Sequence, residues 1–136
     1  MLFNWFKKYK YENTRRYVRL PASWPIKCVP KALSETREVT RTRDISAGGV
    51  AISVKQMVPV GSPIQMEIHI PPLDRSIVAE GQVIRCSAAQ GGGFELGIRF
   101  INIDPKDRLL LNETIEEIHG PAGRARQNAT WWRKFT

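Results

Sequence analysis

Five residues of this 136-residue chain have the types and spacing to hold a charged, hydrogen-bonding ligand: Arg15 and Arg19, then Asp44, Ser46 and Gly49. Arginine guanidinium groups fork onto phosphates and onto ring acceptors. A carboxylate beside such a cluster is out of place for capture of a simple anion. It suits a ligand that carries phosphates and also base edges with donors. Guanine is such a base, because arginine can fork onto its O6 and N7 acceptors while a carboxylate accepts from its N1–H and exocyclic amino group. Asp44 then complements what the arginines cannot reach, and Ser46 can donate or accept near a base or a phosphate. The stretch from Asp44 to Gly49 reads as a short polar turn whose glycine pair, Gly48 and Gly49, permits positive φ and leaves room for a ligand against the backbone.

Catalysis finds little support elsewhere in the chain. His69 alternates outward on a strand, and His119 falls near a helix end, where a cation is favoured by the helix dipole. Glu113, Glu116 and Glu117 lie on a polar helix face. There is no glycine-rich phosphate loop followed by lysine. Cys28 and Cys86 stand 58 positions apart without a second ligand at metal spacing, so they read as small thiols in a reducing compartment. No catalytic residue, metal site or cofactor is assigned.

The elements that must position the five residues are strands. Ala22, Trp24, Ile26 and Cys28 share one face of a first strand that ends near Pro30. Residues 31–37 make a polar turn, and a second strand runs from Glu38 to Arg43. Val50, Ile52 and Val54 alternate in a third, and Ile64, Met66, Ile68 and Ile70 in a fourth. Ile77, Ala79, Gly81 and Val83 form a fifth, with Gly81 marking a bend or bulge. Phe94, Leu96, Ile98 and Phe100 form a sixth. No helix-length segment separates them, so the sheet is antiparallel, and six strands each with one apolar face favour a small closed barrel. A helix follows, with Asp104 as N-cap, Pro105 at its first position and Leu111, Ile115 and Ile118 as its packing stripe. The fold class is all-β, a six-stranded antiparallel barrel with a C-terminal helix and an N-terminal arm.

The net charge of +8 is distributed unevenly. Residues 1–19 carry +5, residues 121–136 carry +4, and the intervening body carries −1. A barrel built for long nucleic acid carries its excess charge on the folded body, so no long nucleic acid is expected as partner. Two basic ends around a near-neutral body suit a compact anion. Residues 1–14 mix aromatics with lysines, and residues 120–136 carry four Lys/Arg around Trp131 and Trp132. The first segment reads as a loosely held terminus, with peripheral membrane contact as the secondary reading. Its aromatics precede its lysines, unlike a secretory signal, and no apolar run approaches the roughly 20 residues of a membrane span. The expected location is the cytoplasm.

The pairing of Arg-x-x-x-Arg with Asp-x-Ser-x-x-Gly, followed by alternating strands and a late Leu96-Gly97-Ile98-Arg99-Phe100, closely resembles the PilZ domain, a bacterial receptor for cyclic di-GMP. The resemblance covers residues 15–119, between an aromatic, basic extension at 1–14 and a basic, tryptophan-containing tail at 120–136. It implies a ligand held between the N-terminal arm and the barrel face. Arg15 and Arg19 match the arginines that bind phosphate and the guanine Hoogsteen edge, and Asp44, Ser46 and Gly49 match the second motif. Arg16, Arg43 and Gly48 form a second tier, the two arginines adding charge nearby. With no output domain attached, such a receptor is expected to act on a protein effector in trans. A small barrel that binds single-stranded nucleic acid, or an adaptor without a nucleotide ligand, is the alternative.

Overall fold

Alternation in the sequence becomes alternation of burial. In β4 (Pro63–Ile70) the side chains of Ile64, Met66, Ile68 and Ile70 are buried while Gln65 and Glu67 face solvent. Each fully buried isoleucine stabilises the fold by roughly 1.5–3 kcal/mol. The computed structural model describes residues 17–30 and 38–119. The N-terminal extension, Arg15, Arg16, the 31–37 turn and the C-terminal tail therefore lie outside the described residues.

The remaining elements are β1 (Pro25–Pro30), β2 (Glu38–Ser46), β3 (Gly49–Val54), β5 (Arg75–Ala88), β6 (Phe94–Ile103) and helix α1 (Pro105–His119). The strands close into a barrel in the order β1-β2-β3-β6-β5-β4, with every pairing antiparallel and β1 meeting β4 to complete the ring. One core fills it, from Ile26 and Cys28 through Ile45 and Ile52 to Leu96 and Ile98. Helix α1 adds Leu111, Ile115 and Ile118 to that core. Its start is fixed as expected, the Asp104 carboxylate accepting the Lys106 N–H at 2.8 Å, with Pro105 first in the helix. Gly81 lies at a register shift between β5 and β6. A Cβ there would overlap the Ile98 side chain and meet Met66 Cε at 2.8 Å, so the bend is a place where no side chain fits.

Several boundaries differ from those read in the sequence. β1 begins at Pro25 rather than Ala22. The preceding segment is held instead through Thr42, whose N–H donates to the Trp24 carbonyl and whose hydroxyl donates to the Ala22 carbonyl and accepts the Trp24 N–H. β5 runs past Val83 to Ala88 because its far half keeps pairing with β6, Cys86 opposite Leu96 and Ala88 opposite Phe94. Val58, in the loop after β3, is buried in the core.

Candidate functional site

β2 departs from strict alternation where the motif begins. Thr42 pairs with Ile52 and Asp44 with Ala51, so Arg43 is an extra residue and the register shifts. Thr42 and Ile45 are buried, while Arg43 is exposed and Asp44 half-buried. The bulge thus lets two consecutive residues, Arg43 and Asp44, share the outer face. The Asp44–Gly49 stretch is correspondingly not one loop. Asp44 to Ser46 belong to β2, Gly49 opens β3, and only Ala47 and Gly48 form the turn.

Ser46 organises that turn. Its hydroxyl accepts the Gly48 N–H at 3.1 Å and the Gly49 N–H at 3.2 Å, and donates to the Gly49 carbonyl at 3.4 Å. It is only 9% exposed. Its hydrogen-bonding capacity is therefore directed into the protein. The glycines also serve a different need from the one expected. Positive φ occurs at Gly61, Gly91, Gly92 and Gly93, and not at Gly48 or Gly49. A Cβ on Gly49 would overlap the Ile98 carbonyl oxygen and lie 3.2 Å from Arg99 Cα. The missing side chain lets β6 approach. Gly48 faces the Tyr17 ring, whose Cδ2 is 3.1 Å from the position a Cβ would take.

The arginine segment reaches the same place. Leu20 forms an isolated antiparallel bridge with Ile45, its N–H donating to the Ile45 carbonyl at 2.8 Å and its carbonyl accepting the Ile45 N–H at 3.0 Å. The Leu20 side chain is buried in the core while Arg19 is exposed. Antiparallel pairing sets Arg19 level with Ser46 and Tyr17 level with Gly48, the latter borne out by the ring contact. Of the eight site residues named from sequence, the structure brings together Arg19, Arg43, Asp44, Ser46, Gly48 and Gly49, and Arg15 and Arg16 fall outside the described residues.

Neighbouring strands add groups that the linear order hides. Gly49 pairs with Arg99 and Arg99 with Gln82, so one row across the barrel reads Ser46, Gly49, Arg99, Gln82. Arg99 donates to the Gln82 side-chain carbonyl at 3.0 Å. The next row reads Asp44, Ala51, Gly97, Arg85. The Arg85 guanidinium lies over the backbone of Gly97, with Nε 3.2 Å from where a Cβ would be. Four strands at about 4.8 Å spacing make this patch about 14 Å wide. Its floor at Ala51 and Gly97 carries almost no side chain. Glu95 lies at its border, accepting from Arg43 at 2.7 Å and pairing with Arg85 at 3.6 Å. Tyr17, Arg85, Glu95 and Arg99 were not identified from sequence. Arg99 stood within a noted motif, but only the strand order and register bring the four here.

Among the described residues no group of three or more His, Cys, Asp or Glu could hold a metal ion, and no helix is long and apolar enough to cross a membrane. Burial pushes the Cys28 thiol from 9.0 up to about 12, with Glu38 nearby adding to the shift.

A closed six-stranded antiparallel barrel followed by one helix, with the Arg19–Leu20 segment bridged to the strand that carries Asp44 and Ser46, defines the architectural class. The PilZ domain model matches residues 13–117, and the chain belongs to that family. Among solved structures it resembles the Bacillus subtilis inhibitor of motility MotI/DgrA, with 23% identity and a TM-score of 0.69 over 84% of this chain and 52% of that one. It also resembles Escherichia coli YcgR in complex with c-di-GMP, with 25% identity and a TM-score of 0.65 over 85% and 49%. The isolated PilZ domain of YcgR with c-di-GMP gives 21% identity and a TM-score of 0.58 over 86% and 98%. The chain thus spans about half the length of MotI/DgrA and of the longer YcgR chain. No curated protein matches it.

Proposed function

We propose that the chain is a cyclic di-GMP receptor in which residues 15–119 form the receptor unit. The ligand binds between the arginine segment 15–19 and the outer face of β2, β3 and β6. The observation that carries this reading is the Leu20–Ile45 bridge, which brings the segment carrying the exposed Arg19 alongside the end of β2 that carries Asp44 and Ser46. Two structures of the relative YcgR hold c-di-GMP, which supports the choice of ligand. Arg15 and Arg19 fork onto phosphate and the guanine Hoogsteen edge, with Arg16 and Arg43 adding charge. Asp44 accepts from N1–H and the amino group of the guanine. Ser46 contributes by holding the turn, and Gly48 and Gly49 by leaving space for Tyr17 and β6.

Binding fastens the arginine segment over the ligand. Ordering backbone costs roughly 1–2 kcal/mol per residue fixed, so several charge-assisted bonds of about 1.5–3 kcal/mol each are needed to offset it. No catalytic step or cofactor is required, and the bound state is read in the cytoplasm by a protein effector in trans. The test is calorimetry with cyclic di-GMP on Arg19→Ala. Affinity falls by at least tenfold while the apo unfolding midpoint stays put, because Arg19 is exposed. Unchanged affinity sinks the assignment.

A further inference from the structure

The barrel carries a groove of about 660 Å³ on β1, β4, β5, the end of β6 and the start of α1. Its carboxylates are Glu67, Glu80, Asp104 and Asp107, against one lysine, Lys27. Arg75, beside it, engages Asp107 at 3.2 Å. Between the charges lie Val29 and Val78, and Val78 is 66% exposed. Register extends this row: Val39, itself 67% exposed, pairs with Lys27, Lys27 with Glu67, and Glu67 with Val78. An open surface that is both acidic and apolar suits a length of polypeptide with cations and a large apolar ring.

This chain contains such a segment. Residues 121–136 hold Arg124, Arg126, Arg133 and Lys134 with no acidic residue, around Trp131 and Trp132. The N-terminal basic residues lead into Leu20 and so to the Ile45 end of β2, whereas the C-terminal segment has no assigned role. We propose that the groove is the docking site for residues 121–136 of the same chain, a tryptophan ring lying on Val78 and the cations facing Glu67 and Asp104. Reach permits it. The 15 residues of α1 span about 22 Å, and Trp131 comes 12 residues after His119, enough for about 40 Å of extended chain. A tethered segment meets its site at an effective concentration in the millimolar range, so modest intrinsic affinity suffices. Trp rings with Arg beside them are the side chains that most often anchor such contacts. The groove and the ligand patch share β5 and β6 but no residue: the patch takes Gln82 and Arg99, the groove Glu80 and Asn102.

The test is amide and methyl NMR on the full ligand-free chain, which keeps it independent of the nucleotide. Trp131→Ala with Trp132→Ala moves the signals of Val78, Ala79, Glu80 and Asn102 and leaves those of Asp44 and Gly49 in place. Glu67→Lys moves the Trp131 and Trp132 indole N–H signals toward their undocked positions, and adding Arg133→Glu with Lys134→Glu returns them. Three results overturn the proposal: groove signals that ignore the tryptophan substitutions, shifts that grow only with protein concentration and so report a second copy, or groove shifts caused by Trp5→Ala instead.

Discussion

Gly49→Ala separates two roles that the motif glycine could have. If the glycine leaves room for a ligand, the substitution lowers affinity and spares the fold. The structure says otherwise, because the added methyl would overlap the Ile98 carbonyl oxygen and stand 3.2 Å from Arg99 Cα, both backbone atoms of β6. Relief needs β3 and β6 to move apart where Gly49 pairs with Arg99, since no rotamer change removes a backbone obstruction. Overpacking costs about 1–3 kcal/mol, and the rigid obstruction puts this case near the upper end, at about 3 kcal/mol. For a domain of this size each kcal/mol lowers the midpoint by about 4–5 °C, so the apo protein should lose about 12–15 °C by circular dichroism. Gly48→Ala is the internal control. Its methyl meets only the Tyr17 ring at 3.1 Å, which can swing aside, so it should melt within a few degrees of the parent while weakening the ligand by displacing the arm. An unchanged midpoint for Gly49→Ala would refute the packing account and return the glycine to the ligand.

Asp44→Ala should cost discrimination between cyclic di-GMP and cyclic di-AMP more than it costs total affinity, measured by calorimetry with both; equal binding of the two by the parent defeats the role given to Asp44. Glu95→Gln removes the carboxylate shared by Arg43 and Arg85 and should tighten the nucleotide. Exposed ion pairs are worth about 0–1 kcal/mol, so the gain is up to about fivefold in Kd, and weaker binding would contradict it. Burial pushes the Cys28 thiol up from 9.0 to about 12 in the fold, so the neutral thiol's contribution is complete below pH 9 and is lost as pH rises toward 12. Urea unfolding across that range should show a decline that Cys28→Ala flattens by about 1.4 kcal/mol per pH unit. At pH 8 a thiol reagent should modify half-buried Cys86 first and reach Cys28 only on unfolding.

The strand faces were readable from period-two patterns because an apolar row has to be buried together, as in Ile64 to Ile70. The helix start at Asp104-Pro105 was readable because capping is local chemistry. Strand ends were less so. β5 continues through Ile84, Arg85 and Cys86 because β6 is there to pair with it, and nothing in the segment itself announces a partner. Val58 looked like loop because Pro59 and Gly61 follow it and break regular structure, yet a single apolar side chain can drop into a core from irregular backbone.

Arg19, Asp44, Ser46 and Gly49 were marked as a set by residue type and spacing alone, since only certain side chains can meet phosphates and base edges. Their division of labour came from three dimensions. The bulge at Arg43 turns Asp44 outward with its neighbour, Ser46 spends its hydroxyl on its own turn, and Gly49 is thin because β6 passes beside it. Arg85, Glu95 and Arg99 joined the patch only through the barrel's strand order, which sets residues about 50 positions apart side by side. Local chemistry is written residue by residue, whereas strand partners are chosen by closing the barrel, a condition no single segment contains.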